Sequence, residues 1–135
     1  LDALQEVGAG CITFSPLAQG LLTNRYLGGV PSDSRAAADK SLSPSMLSDE
    51  NIERIRALAS IADRRGQSLA QMAVAWTLRD PRVTSTLLGA SSAHQLEETT
   101  AAVARLDFSD DELAEIDEFA VEADINLWAA ESEIR

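Results

Sequence analysis

The chain has 135 residues, the size of one domain with room for a buried core. Apolar residues make up 45% and charged residues 24%, with a mean hydropathy of -0.07, which is ordinary for a globular protein. Twenty-two acidic against eleven basic residues give a net charge of -11; such a surface repels phosphate backbones and headgroups, so no nucleic-acid or membrane role is expected.

Arg64-Arg65 is the only adjacent basic pair, and the acidic residues Asp110, Asp111, Glu112, Glu115, Asp117, Glu118 and Glu122 read as the solvated face of a helix. A single cysteine, Cys11, allows no internal disulfide and predicts a reducing, cytoplasmic location, with the thiol buried and inert in its apolar run. No signal peptide and no apolar run of bilayer-spanning length is found. The chain opens on Leu1 inside a helix-like pattern, which predicts that it begins within something longer.

In chain order, Leu1, Leu4 and Val7 have the spacing of a final helical stretch, ended by Gly8-Ala9-Gly10. Cys11 to Phe14 is a short β-type run that should stop near Ser15, because Pro16 cannot donate to a ladder. Leu21-Leu22-Thr23 suggests a short helical turn. From about 24 to 47 the periodicity is lost among Gly28, Gly29, Pro31, Pro44 and several serines. A loop of that length is read as a lid or binding loop, the competing reading being a linker between domains.

Ser48 is the expected N-cap of a helix carrying Ile52, Ile55, Leu58, Ala59 and Ala62 to Gly66. Ser68 with Gln71 is a capping box for a second helix that stops before Pro81 and sets Met72 and Trp76 on one face as core residues. Val83 to Leu88 then reads as a buried strand. Gly89-Ala90-Ser91-Ser92 follows as a small-residue turn, and Ser92 with Gln95 as a capping box for a helix from about Ala93 to Ala104. This strand, turn and helix form either a plain βα junction or a phosphate cradle, where backbone N–H groups approach an anion. A last helix is capped by Ser109 and Glu112 and buries Leu113, Ile116, Phe119 and Ala120, after which Leu127 and Trp128 are expected to pin the tail to the body. Strands alternating with helices argue for a parallel sheet, yet two strands are too few for a complete α/β domain.

The segment Phe14-Ser15-Pro16-Leu17-Ala18-Gln19-Gly20-Leu21-Leu22-Thr23 with Arg25-Tyr26 resembles the seventh-strand motif of aldo-keto reductases. Leu88-Gly89-Ala90-Ser91-Ser92 through Gln95-Leu96-Glu97-Glu98 is similar to their eighth-strand motif, and Gly66-Gln67-Ser68-Leu69-Ala70-Gln71-Met72-Ala73 lies between the two. The resemblance implies an α/β fold, with residues 1–135 forming the C-terminal portion of a (β/α)8 TIM barrel, its seventh and eighth strands with their helices, incomplete as a barrel in this chain. It also implies NADPH as cofactor and a small-molecule aldehyde or ketone as substrate. Ser15, Pro16, Leu17 and Gly20 would line the nicotinamide and pyrophosphate side, with Arg25 and Arg35 as cations for cofactor phosphates. Gly89, Ser91 and Gln95 would hold the adenosine phosphate, and Glu98 the adenine amino group. Thr99 stands where the family usually has asparagine, which would weaken the adenine contact.

The family's catalytic Asp, Tyr, Lys and His belong to early strands that precede these motifs, so no catalytic residue and no metal ligand is assigned here. His94 is expected at the surface. The functional expectations are therefore the cofactor-binding part of a reductase, a nucleotide-binding or partner-regulatory module without catalysis, or an inert fragment; exposed strand edges would favour self-association.

Overall fold

The computed structural model describes residues 1–28 and 44–121. The middle of the expected loop, with Arg35, and the tail with Leu127 and Trp128 lie outside the described residues. The elements run α1 (Asp2–Glu6), β1 (Cys11–Thr13), 3-10 turns at Ala18–Gly20, Asn24–Tyr26 and Pro44–Leu47, then α2 (Asp49–Arg64), α3 (Leu69–Leu78), β2 (Val83–Thr86), α4 (Ala93–Thr100), continued as a 3-10 turn over Ala101–Ala104, and α5 (Asp110–Phe119).

Local sequence accounts for the helix starts. The hydroxyls of Ser48, Ser68 and Ser109 accept from the N–H groups of Asn51, Gln71 and Glu112, and full capping boxes form at Ser68/Gln71 and Ser109/Glu112. At α4 only half of the expected box forms: Ser92 accepts from the Gln95 N–H, but the Gln95 side chain reaches back to Ser91, not Ser92. Gly66, at φ +67°, ends α2 with its N–H on Asp63, followed by the Gln67 N–H on Ala62. The helical turn expected at Leu21–Thr23 falls to either side of it, because the Thr23 hydroxyl caps the next turn by accepting from the Arg25 N–H.

β1 and β2 pair in parallel, Ile12 opposite Ser85 and Thr13 opposite Thr86, and the Leu87 N–H extends the ladder by donating to the Thr13 carbonyl at 2.9 Å. The register is broken between Cys11 and Ile12, where the Cys11 N–H donates to Thr84 Oγ1 at 3.2 Å. Gly10 permits this approach, since a Cβ there would lie 2.8 Å from that oxygen. The expected burial of the second strand does not hold. Thr84, Ser85 and Leu87 are exposed, because α3 packs on one side of this two-stranded sheet and nothing among the described residues covers the other. Cys11 is half-buried rather than buried.

The core lies between the helices: Ile55, Leu58, Ile61 and Ala62 of α2 meet Leu69 and Met72 of α3, Ile116 of α5, and Leu21 and Tyr26 from the loop after β1. Trp76 packs at its edge, as its shared face with Met72 predicts. His94 is exposed, whereas Ala120, expected in the core, is exposed at the end of α5. The basic pair divides: Arg64 is an exposed partner of Glu115, while Arg65 is only 3% exposed. Arg65 Nε donates to Gln67 Oε1 (2.9 Å) and Nη2 to the Asp107 carbonyl (2.8 Å), and its guanidinium lies 3.7 Å from the centre of the Phe108 ring. Nη1 is 2.7 Å from Glu112 Oε2 but lacks hydrogen-bond alignment, so that contact is one of charge. Gln67 Nε2 donates to the Arg105 carbonyl, and Arg105 returns a guanidinium bond to the Arg65 carbonyl.

The hydrogen bond from the Ser109 N–H, followed by the Arg65 charge, holds the Glu112 carboxyl below its usual range. A lowered folded-state value means stability that is complete above the ordinary Glu pKa of about 4.3 and lost as pH falls through and below it. Thermal melts from pH 6 to pH 3 should therefore show a stability loss that is smaller in Glu112→Gln. Arg65→Lys, which cannot reproduce the planar fork, should cost about 2 kcal/mol or more in urea unfolding, against about 0–1 kcal/mol for Arg64→Lys at the exposed pair.

Candidate functional site

At the C-terminal ends of the two parallel strands the chain forms an open cleft of about 550 Å³, within the range of small-molecule sites. One wall is the segment after β1, where Ser15, Pro16, Leu17, Gly20 and Arg25 all line the cleft. Gly89, Ser91 and Gln95, after β2, line the other. Eight of the expected site residues, distant in sequence, are thus brought together by the pairing of β1 with β2. Glu98 and Thr99 are not. Glu98 is exposed farther along α4, its carbonyl accepting from Gln71 Nε2, and Thr99 is 5% exposed with its hydroxyl donated to the Gln95 carbonyl at 2.7 Å. This back-bonding is the ordinary resort of a threonine inside a helix. Arg35 lies outside the described residues.

Six further residues line the cleft: Gln19, Thr23, Tyr26, Leu87, Leu88 and Ala90. The motif that points to the site already contains Gln19, Thr23 and Tyr26. Leu87 and Leu88 read from sequence as strand interior, because period and composition do not show where a strand leaves its sheet.

The chemistry of the lining is polar with apolar walls. Ser91 donates through its N–H (2.9 Å) and its hydroxyl (3.0 Å) to Gln95 Oε1, which fixes the Gln95 amide at the start of α4. The first turn of that helix adds the positive end of its dipole. Thr23 Oγ1 donates to the Gly20 carbonyl at 2.7 Å and accepts from the Arg25 N–H, setting the backbone that carries the cleft's cation. Among the described residues Arg25 is the single charged residue of the lining, and none of these lining residues is a carboxylate, in a chain with 22 acidic residues. An anion therefore meets donors, a helix N-terminus and a guanidinium on an otherwise repulsive protein. Among the described residues no group of three or more His, Cys, Asp or Glu could hold a metal ion, and no helix is long and apolar enough to cross a membrane.

A cleft beyond the C-terminal ends of two parallel strands is also where (β/α)8 barrels place their sites, which bind phosphates at the loops after late strands. Residues 1–121 match the aldo/keto reductase family, and the chain belongs to that family. It is similar to the L-glyceraldehyde 3-phosphate reductases of Escherichia coli strain K12 and of Escherichia coli O157:H7, at 51% identity over 137 residues, 98% of this chain and 40% of each relative. It is also similar to a probable voltage-gated potassium channel subunit beta of Arabidopsis thaliana, at 42% identity over 99 residues, 71% of this chain and 30% of that protein. The chain spans about 40% of the length of the reductases that it matches.

The two cleft glycines differ in what the fold asks of them. Gly20 sits at φ +100°, where any side chain is strained, whereas Gly89 has ordinary φ and no atom within 4 Å of a Cβ built on it. Gly20→Ala should cost about 1–2 kcal/mol in urea unfolding and Gly89→Ala close to nothing, a contrast that fixes the first as a structural requirement.

Proposed function

We propose that this chain is the cofactor-binding, C-terminal part of an NADPH-dependent reductase of aldehydes or ketones, β1 and β2 being the seventh and eighth strands of the barrel. Family membership and the reductase relatives support an oxidoreductase, and the observation that carries the cofactor reading is that the described lining of the cleft brings Arg25 and the start of α4 together without a carboxylate among the described residues. The residues present fit a dinucleotide: Arg25 and the start of α4 suit phosphate charge, Ser15, Ser91 and Gln95 offer hydrogen bonds, and Pro16, Leu17, Leu87 and Leu88 give apolar walls. NADPH, when bound, would supply the hydride to a carbonyl carbon. The chain's own residues would hold and orient it and keep water from the apolar side. Glu98 lies along α4 beyond the cleft, where a ligand extended in that direction would reach it, while Thr99 has its hydroxyl committed to the helix. No catalytic residue is assigned to this chain; in this reading the proton donor belongs to the remainder of a barrel of which the chain is one part.

Ile12 (64% exposed), Phe14 (60%) and Leu87 (62%) leave apolar surface along the strands, which favours association of this chain with a covering partner or with itself.

Titrating the 135-residue chain with NADPH while following cofactor fluorescence should give saturable binding that weakens with added salt. Arg25→Met should weaken it about tenfold, the loss of one charge-assisted contact. No test aldehyde should be reduced by the chain alone. Absence of binding would overturn the cofactor reading, and turnover would overturn the assignment of the catalytic group to another part of the barrel.

A further inference from the structure

A second hollow lies between the helices, and its lining is apolar. α2 packs against both α3 and α5, and the space left between those two forms a pocket of about 290 Å³. Leu58, Leu69, Met72 and Ile116 make its buried floor, while Trp76 is half-buried and Ala120 exposed at its rim. None of the described lining residues is charged, and the hydroxyl of Thr77, also in the lining, is spent on the Ala73 carbonyl at 2.9 Å. Such a pocket offers an occupant apolar contact and nothing to pair with a charge. Ser15 and Pro16 belong to its lining as well as to that of the cleft, so whatever fills it lies against the segment that builds one cleft wall.

α5 ends at Phe119, and from Ala120, on the rim of this pocket, the sequence continues into residues 122–135. That stretch holds Ile125, Leu127 and Trp128 between the acidic residues Glu122 and Asp124 on one side and Glu131 and Glu133 on the other. The distance from Ala120 to Trp128 is eight residues, which extended reach up to about 27 Å, against about 10 Å between packed helix axes. A segment tethered at the rim of its own pocket competes at an effective concentration of about millimolar. A second copy would instead have to bring together two chains of net charge -11. We propose that residues 125–128 of this chain dock in the pocket, Leu127 and Trp128 supplying the apolar contact while the flanking acids stay in water. The tail then closes the helical core and backs the segment that carries Ser15 and Pro16 to the cleft.

The sequence has two tryptophans, so Trp76→Phe leaves Trp128 as the sole reporter in the 135-residue chain. Its emission should lie to the blue of the same chain in urea and resist quenching by acrylamide, at every protein concentration. Thr77→Glu keeps a good helix former and sets a charge in the pocket; it should move that emission to the position seen in urea while helicity by circular dichroism is kept. With both tryptophans present, Trp128→Ala should lower the melting temperature by about 5 °C. Thr77→Glu should then cost less stability in the Trp128→Ala background than alone, a readout that serves if Trp76→Phe folds poorly. Trp128 emission that already matches the chain in urea would overturn the proposal and leave the pocket to another part of the barrel or a separate partner. So would a blue-shifted emission that Thr77→Glu does not move, which sets Trp128 elsewhere on the body, or strictly additive losses in the double variant. A blue shift that fades on dilution would overturn it too, by giving the pocket to the tail of a second copy.

Discussion

The buried guanidinium of Arg65 ties the turn between α2 and α3 to the segment that joins α4 to α5. Removing a guanidinium from water is costly unless every face of it is answered, and here Gln67, the Asp107 carbonyl, the Phe108 ring and the Glu112 carboxylate answer it from two separate stretches of chain. The stretches therefore have one favourable relative placement. Arg105 and Gln67 add return bonds to the same junction, so a slip of either side leaves several buried polar groups without partners.

That placement reaches the cleft through the helices on either side of the junction. α3 begins just after it, and Gln71 both closes the Ser68 capping box and donates to the Glu98 carbonyl of α4. α4 is thus oriented from below, and its first turn carries the Ser91 and Gln95 pair to the cleft wall. The opposite wall is set independently, by the bonds of Thr23 and by Leu21 and Tyr26 anchored in the core. The pairing of β1 with β2 joins the two walls. The cleft consequently combines a rigid α4 side with a β1 side under backbone strain.

Much of this was legible because the signals are local. Serine at the N-cap with Gln or Glu three residues on marks the starts of α3 and α5 whatever surrounds them, and the apolar stripe of α2 predicts the face it buries. The two motifs that resemble those of the family, distant in sequence, line one cleft. Misreadings came where a neighbour decides the outcome. The run Val83 to Leu88 is apolar and β-branched enough to read as a buried strand, yet burial depends on what covers it, and Thr84, Ser85 and Leu87 are exposed. Ser92 looks like half of a capping box, but the Gln95 side chain is taken by Ser91 at the cleft.

By itself the sequence determined the helices, their caps, the acidic character of the surface and the two motifs that meet at the cleft, because these depend on spacing along the chain and on the chemistry of single residues. Only the tertiary structure decided that Arg65 is a core residue while its neighbour Arg64 stays in water, since an arginine's burial depends on partners some forty residues away. It also decided that the described lining of the cleft holds no carboxylate on a chain of net charge -11, and that Thr99 turns its hydroxyl into its helix. Composition fixes how much charge a protein carries, but the distances that pair it or leave it unpaired arise only when the chain closes on itself.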